Sequence, residues 1–164
     1  MKWLAVLVAL AACGTSDDTQ TGDTFIAFSS SFTSFRDWTP MPSPGPADDG
    51  TYPADVLGAR THYINMLPPS GSAEFPLGTI IVQSHGTDLF ARVKRGDNFN
   101  TSGAHGWEWF ELKEGPVAIV WRGVGPPAGE SYGGDPKGGC NTCHAEHCAA
   151  NDYVCAASLQ LSSF

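Results

Sequence analysis

The chain has 164 residues, of which 41% are hydrophobic and 16% charged, and its formal net charge is −8. That length and composition describe one ordinary globular domain with an N-terminal appendage, large enough to bury a real core. The acid excess argues against a basic surface for nucleic acid, so small molecules or a basic redox protein are the partners to expect.

Residues 1–12 read as a targeting segment. Lys2 supplies a minimal positive start, and Trp3 to Ala12 form an apolar run too short to span a membrane as a mature helix. The run ends in Leu10-Ala11-Ala12-Cys13, which resembles the bacterial lipobox, with cleavage before Cys13 and acylation of its thiol. An ordinary secretory signal with an incidental cysteine is the rival, and both readings export the chain. One acyl chain binds a membrane only marginally, so firm anchoring takes several. Gly14 rather than aspartate follows the cysteine, which by resemblance to Gram-negative lipoproteins favours the outer membrane on its periplasmic side. Residues 13–24 are polar and acidic and read as a tether, leaving 25–164 as the folded domain.

Phe25, Phe28, Phe32 and Phe35 recur at spacings of three, four and three, which predicts an N-terminal helix with four rings on one side. Its serines and threonine are weak helix formers, so packing of the rings must hold it. Pro40 to Pro46 cannot continue a helix and is expected to run as an extended loop towards Tyr52-Pro53. From Ala59 the texture changes to short strands: Arg60 to Met66, Gly78 to His85, Leu89 to Arg95, Trp107 to Leu112 and Val117 to Arg122, separated by segments rich in Gly, Asn, Asp or Pro. The expected fold class is α+β, mostly β. It is an antiparallel sheet of about five strands with a helix before it and a short cysteine-bearing helix after it. Trp107 and Trp109 fall on one strand face with Glu111, and Phe110 and Leu112 on the other with Glu108. Neither face is plainly polar, which predicts a sheet covered on both sides or one that meets a partner subunit.

Near the C-terminus stands Cys140-Asn141-Thr142-Cys143-His144. Two thiols three apart, followed at once by an imidazole, form the attachment signature of a c-type haem. Cys140 and Cys143 would bond to the porphyrin edge and His144 would give iron its proximal nitrogen. The rival is zinc, because His147 and Cys148 complete a cluster with enough soft ligands for a tetrahedral site. With Cys13 assigned to lipid and Cys140 and Cys143 to haem c, Cys148 and Cys155 remain as a candidate disulfide in an oxidising compartment, two thiols being the alternative. No methionine follows His144, and His147 lies within a turn of it on the same side. A sixth iron ligand must therefore come from among His62, His85, His105, Met41 and Met66, or the position is open to small ligands.

Arg60 to Met66, Phe75-Pro76-Leu77-Gly78-Thr79-Ile80-Ile81-Val82, Ala91 to Arg95, Trp107-Glu108-Trp109-Phe110, and the late C-x-x-C-H followed by Asp152-Tyr153-Val154 resemble the cytochrome P-460 family, which includes the cytochromes c′-beta. The resemblance covers roughly residues 25 to 158. It implies a mostly antiparallel β fold, a homodimer, and one haem whose iron is held by the proximal histidine alone. Such proteins bind nitric oxide or other small ligands, and some oxidise hydroxylamine. Hydroxylamine-oxidising members carry a lysine cross-linked to the macrocycle near the end of the Gly-Thr-Ile-Ile-Val strand, where this chain has Gln83. An amide cannot form that bond, and Lys94 and Lys113 lie on other segments. Active members also place a carboxylate above the iron, for which Glu130 and Asp135 are the candidates here. The expectation is thus an exported, lipid-anchored mono-haem cytochrome, with a hydroxylamine or nitric oxide oxidoreductase and a non-haem lipoprotein holding zinc or disulfides as the alternatives.

Overall fold

The computed structural model describes residues 24–45, 58–96, 99–123, 133–134 and 139–164. Cys13 and the targeting segment lie outside these residues, as do Glu130 and Asp135. Strands β1 (Thr39–Ser43), β2 (Arg60–Ile64), β3 (Ile80–His85), β4 (Asp88–Lys94), β5 (Trp107–Lys113) and β6 (Ala118–Arg122) form one sheet in chain order, each antiparallel to the last. A two-residue β7 (Gly133–Gly134) joins β6 in parallel. The architecture is mostly β with short helices.

Period-two alternation gives the sheet two apolar faces. Ile80, Val82, Ala91, Val93, Phe110 and Leu112 point to one, where the N-terminal segment covers them with Ala27, Phe32 and Phe35. Ile64, Ile81, Trp107 and Trp109 point to the other, beneath Val154, Ala156, Leu159 and Leu161 of the C-terminal segment. The sheet is therefore the middle layer of three, which explains why neither face of β5 reads as polar.

Two expected elements come out differently. The phenylalanine segment forms two 3₁₀ turns, Ser29–Phe32 and Phe35–Asp37, rather than one α-helix. Its hydroxyls compete for the backbone: Phe28 N–H donates to Ser31 Oγ at 3.1 Å, and Thr33 Oγ1 donates to the Ser30 carbonyl at 3.0 Å. Phe32 and Phe35 are buried while Phe28 is 41% exposed, so the four rings do not share a side. The proline-rich stretch is extended as expected, but Thr39–Ser43 pairs with β2 as an edge strand. Pro40 and Pro42 lie two apart, so both missing donors fall on one side of a strand that has a partner on one side only.

Charge is buried beside the first core. Glu108 accepts from Arg122 Nε and NH2 at 2.5 Å each and from Arg95 NH1 at 2.9 Å, while Arg122 NH1 donates to the Ala27 carbonyl at 2.9 Å. This ties β5 and β6 to the N-terminal turns. Among the described residues, no helix is long and apolar enough to cross a membrane.

Candidate functional site

The cysteine motif opens helix α1 (Gly139–His147), and no residue of that helix is fully buried. An apolar stripe therefore does not hold α1 in place; polar docking does. Asn141 Oδ1 accepts from Ala104 N–H at 2.7 Å and from Asn100 Nδ2. Asn100 Nδ2 also donates to the Ala104 and Trp107 carbonyls, at 3.0 and 3.2 Å. This close approach depends on Gly103, where an added Cβ would stand 2.1 Å from the Asn141 amide nitrogen.

His144 is fixed by the turn C-terminal to the helix. Its Nδ1 donates to the Tyr153 carbonyl at 2.6 Å, and its ring lies 4.3 Å from that of Trp109 on β5. The carbonyl reaches it because Asp152 and Tyr153 are both left-handed, with φ of 47° and 61°. Two successive non-glycine residues in that region must be held by their surroundings. Here Asp152 accepts from Lys94 Nζ at 2.7 and 2.9 Å and from Phe75 N–H at 2.9 Å. Burial pushes the Asp152 carboxyl up, and Lys94 and the Phe75 amide pull against it. A disulfide joins Cys148 to Cys155 around the same turn, with Cα atoms 5.1 Å apart, and Cys155 Sγ lies 3.3 Å from His144 Nδ1. Ligand atoms of His144, Cys148 and Cys155 fall within 4.8 Å of one another, but two sulfurs bonded together offer no thiolates to a metal.

Between α1 and the sheet lies a cavity of about 540 Å³, into which Cys140, Cys143 and His144 all open. Its opposite wall is His62 of β2, Ile81 and Gln83 of β3, Phe90 and Arg92 of β4, and Trp109 of β5. Cys140 and Cys143 belong to no disulfide. Burial, and then the charge of Arg92, hold His144 well below the usual imidazole range, at about 3. It is therefore neutral at pH 7, the form that binds a metal. His62 is lowered to about 3 by the same two causes in the same order, and its Nε2 lies 3.3 Å from Gln83 Oε1. Burial raises the Cys143 thiol, with Glu146 adding to it.

Of the five upstream ligand candidates, His62 lines this cavity and the other four do not. Met41 packs into the core beneath the C-terminal segment, His105 stacks on Tyr153 at 6.1 Å, His85 ends β3, and Met66 is 39% exposed. Gln83, singled out as standing where the family resemblance calls for a lysine, lines the cavity. Lys94 is committed to Asp152, and Lys113 is exposed at the end of β5. Three residues at the site escaped the sequence reading. Asn141 is a variable position of the motif, and Asp152 and Arg92 enter only as members of the segments that carry the family resemblance, with no role of their own. Comparison with protein-family models, curated proteins and solved structures finds no match for this chain.

Proposed function

We propose that the chain is an exported, lipid-anchored c-type cytochrome carrying one haem, whose iron keeps a coordination position for a small ligand such as nitric oxide. The observation that carries this reading is the setting of His144. It shares a helix with two thiols facing the same cavity, and its Nδ1 is engaged by a backbone carbonyl. Metal-binding imidazoles are held in this way, because the bond fixes the tautomer and leaves Nε2 to the metal. Cys140 and Cys143 are the sulfurs available for thioether bonds, and Ile81, Phe90 and Trp109 offer apolar walls to a flat macrocycle. Haem, when bound, supplies an iron that takes up gases or electrons. This chain's residues hold the imidazole neutral and fix the helix that carries the thiols. Engagement of His62 by Gln83 supports a position open to exogenous ligands, since His62 is the upstream candidate on the cavity.

The test is a pyridine haemochrome spectrum with intact mass, on protein exported from a host competent for cytochrome maturation. We expect one porphyrin increment and a high-spin, five-coordinate spectrum that changes with nitric oxide. A mass without the increment overturns the haem reading, and a low-spin spectrum indifferent to nitric oxide overturns the open position.

A second reading, hydroxylamine or nitric oxide oxidation, turns on Gln83, which lines the cavity where the family resemblance calls for a cross-linking lysine; an amide cannot form that bond, which argues against oxidation by this chain. Gln83→Lys is expected to give a red-shifted Soret band and hydroxylamine turnover. An unaltered spectrum would mean that the missing amine is not what limits oxidation. The same resemblance brings a homodimer into the proposal, and the acid excess a basic redox partner protein; sedimentation of the mature protein tests the first.

A further inference from the structure

Arg92 is 6% exposed and lies wholly within the protein, yet it makes no ion pair and no hydrogen bond among the described residues. Its Nε and NH2 are buried without acceptors, whereas the buried Arg95 and Arg122 both hold Glu108. Burial pulls even its guanidinium down to about 10, against the Cys140 thiol, which as a thiolate would be its counter-charge but which a thioether bond would remove. A cation taken out of water without an anion is costly, and proteins rarely leave one so. The cavity onto which Arg92 opens has no Asp or Glu among its described lining residues. One further group on the same wall, Trp109 Nε1, is also buried without a partner. Around them the wall is apolar: Ile81 and Phe90.

We infer that Arg92 is a carboxylate-binding residue, and that the cavity receives a molecule with an apolar body and a carboxylate edge. The planar fork of a guanidinium matches the two oxygens of a carboxylate, and for a guanidinium as buried as Arg92 that pairing is stronger than at a surface. Such a carboxylate has two sources. One is a porphyrin substituent resident in the cavity, which rests on the haem reading above. The other is a free organic acid, which does not.

Both are distinguished by following the Arg92 Nε–H cross-peak in ¹⁵N-arginine-labelled mature protein, with sodium acetate as the probe and chloride at equal ionic strength as the control. A cross-peak protected from exchange and unmoved by acetate, in protein whose mass includes the porphyrin, identifies the resident carboxylate. A cross-peak that acetate moves saturably and chloride does not, with or without porphyrin, identifies a free one. Arg92→Lys, which keeps the charge but loses the fork, should then weaken acetate at least tenfold while far-UV circular dichroism is unchanged. An unprotected cross-peak indifferent to acetate overturns the inference. So does a protected, acetate-indifferent one on protein lacking porphyrin, because the partner then belongs to the chain itself. Absence of the porphyrin increment, with acetate binding retained, overturns the haem reading alone.

Discussion

Asp152 shows how a residue distant from the chemistry governs it. Its carboxylate is held by Lys94 and the Phe75 amide, and that grip keeps Asp152 and Tyr153 left-handed, so that the Tyr153 carbonyl meets His144. His62 has a different consequence, because burial and Arg92 lower it from 6.5 to about 3. A depressed imidazole means that the unfolded chain binds more protons below pH 6.5. The stability that the neutral ring contributes is therefore complete above 6.5 and is lost as pH falls towards about 3. His62→Leu removes this titration, so its stability difference from the parent chain should narrow or reverse between pH 7 and pH 4 in urea unfolding. A difference that is constant with pH would refute the neutral buried imidazole.

Elements are joined here by polar devices as well as by apolar area. Glu108 on β5 holds Arg95 and Arg122, and all three side chains are nearly or wholly buried. Glu108→Gln leaves two buried guanidiniums without a full counter-charge, and about 3–5 kcal/mol of destabilisation is expected from urea unfolding. A loss below about 1 kcal/mol would mean that water replaces the carboxylate. Helix α1 depends on a different contact, Asn141 against Gly103. Gly103→Ala puts a methyl group 2.1 Å from the amide nitrogen, so the Asn141 side chain must give up its hydrogen bonds to Ala104 and Asn100 or carry the helix with it. We expect about 1–3 kcal/mol of destabilisation, and a disturbed environment for His144 visible in its imidazole NMR signals. Alanine at the exposed Gly139, which like Gly103 has no left-handed φ and has no atom within 4 Å of an added Cβ, shows the effect of the substitution without the crowding.

At the scale of the molecule, a sheet lies between an N-terminal cover of 3₁₀ turns and a C-terminal cover that carries the candidate site. The Cys148–Cys155 disulfide closes a separation of only seven residues, so its entropic contribution is modest. Serine at both positions should cost about 2–3 kcal/mol and should raise hydrogen exchange from Tyr153 to Leu159 more than in the sheet. Uniform exchange would mean that the staple is redundant with Lys94 and Asp152.

Five of the strands were legible from alternation and turn residues, because a strand buried on both faces still needs β-branched and aromatic side chains. Helix α1 was legible from its alanines and spacing, whereas counting cysteines left Cys148 and Cys155 open between a disulfide and two thiols, and the fold brings them together as a disulfide. The N-terminal helix was misread because the phenylalanine spacing ignores hydroxyls that bond their own backbone. Edge strand β1 was missed because prolines argue against a strand until its unpaired side is known. The amino-acid order by itself determined the sheet, its two apolar faces, the thiol–thiol–imidazole motif and the acidic character of the whole. Only the tertiary structure decided which partners meet across long separations: Asn141 with Ala104, Lys94 with Asp152, and His144 across a cavity from Arg92, Gln83 and His62. Periodicity records which side of an element is apolar, whereas a buried polar contact depends on where the chain returns, and no local pattern encodes that.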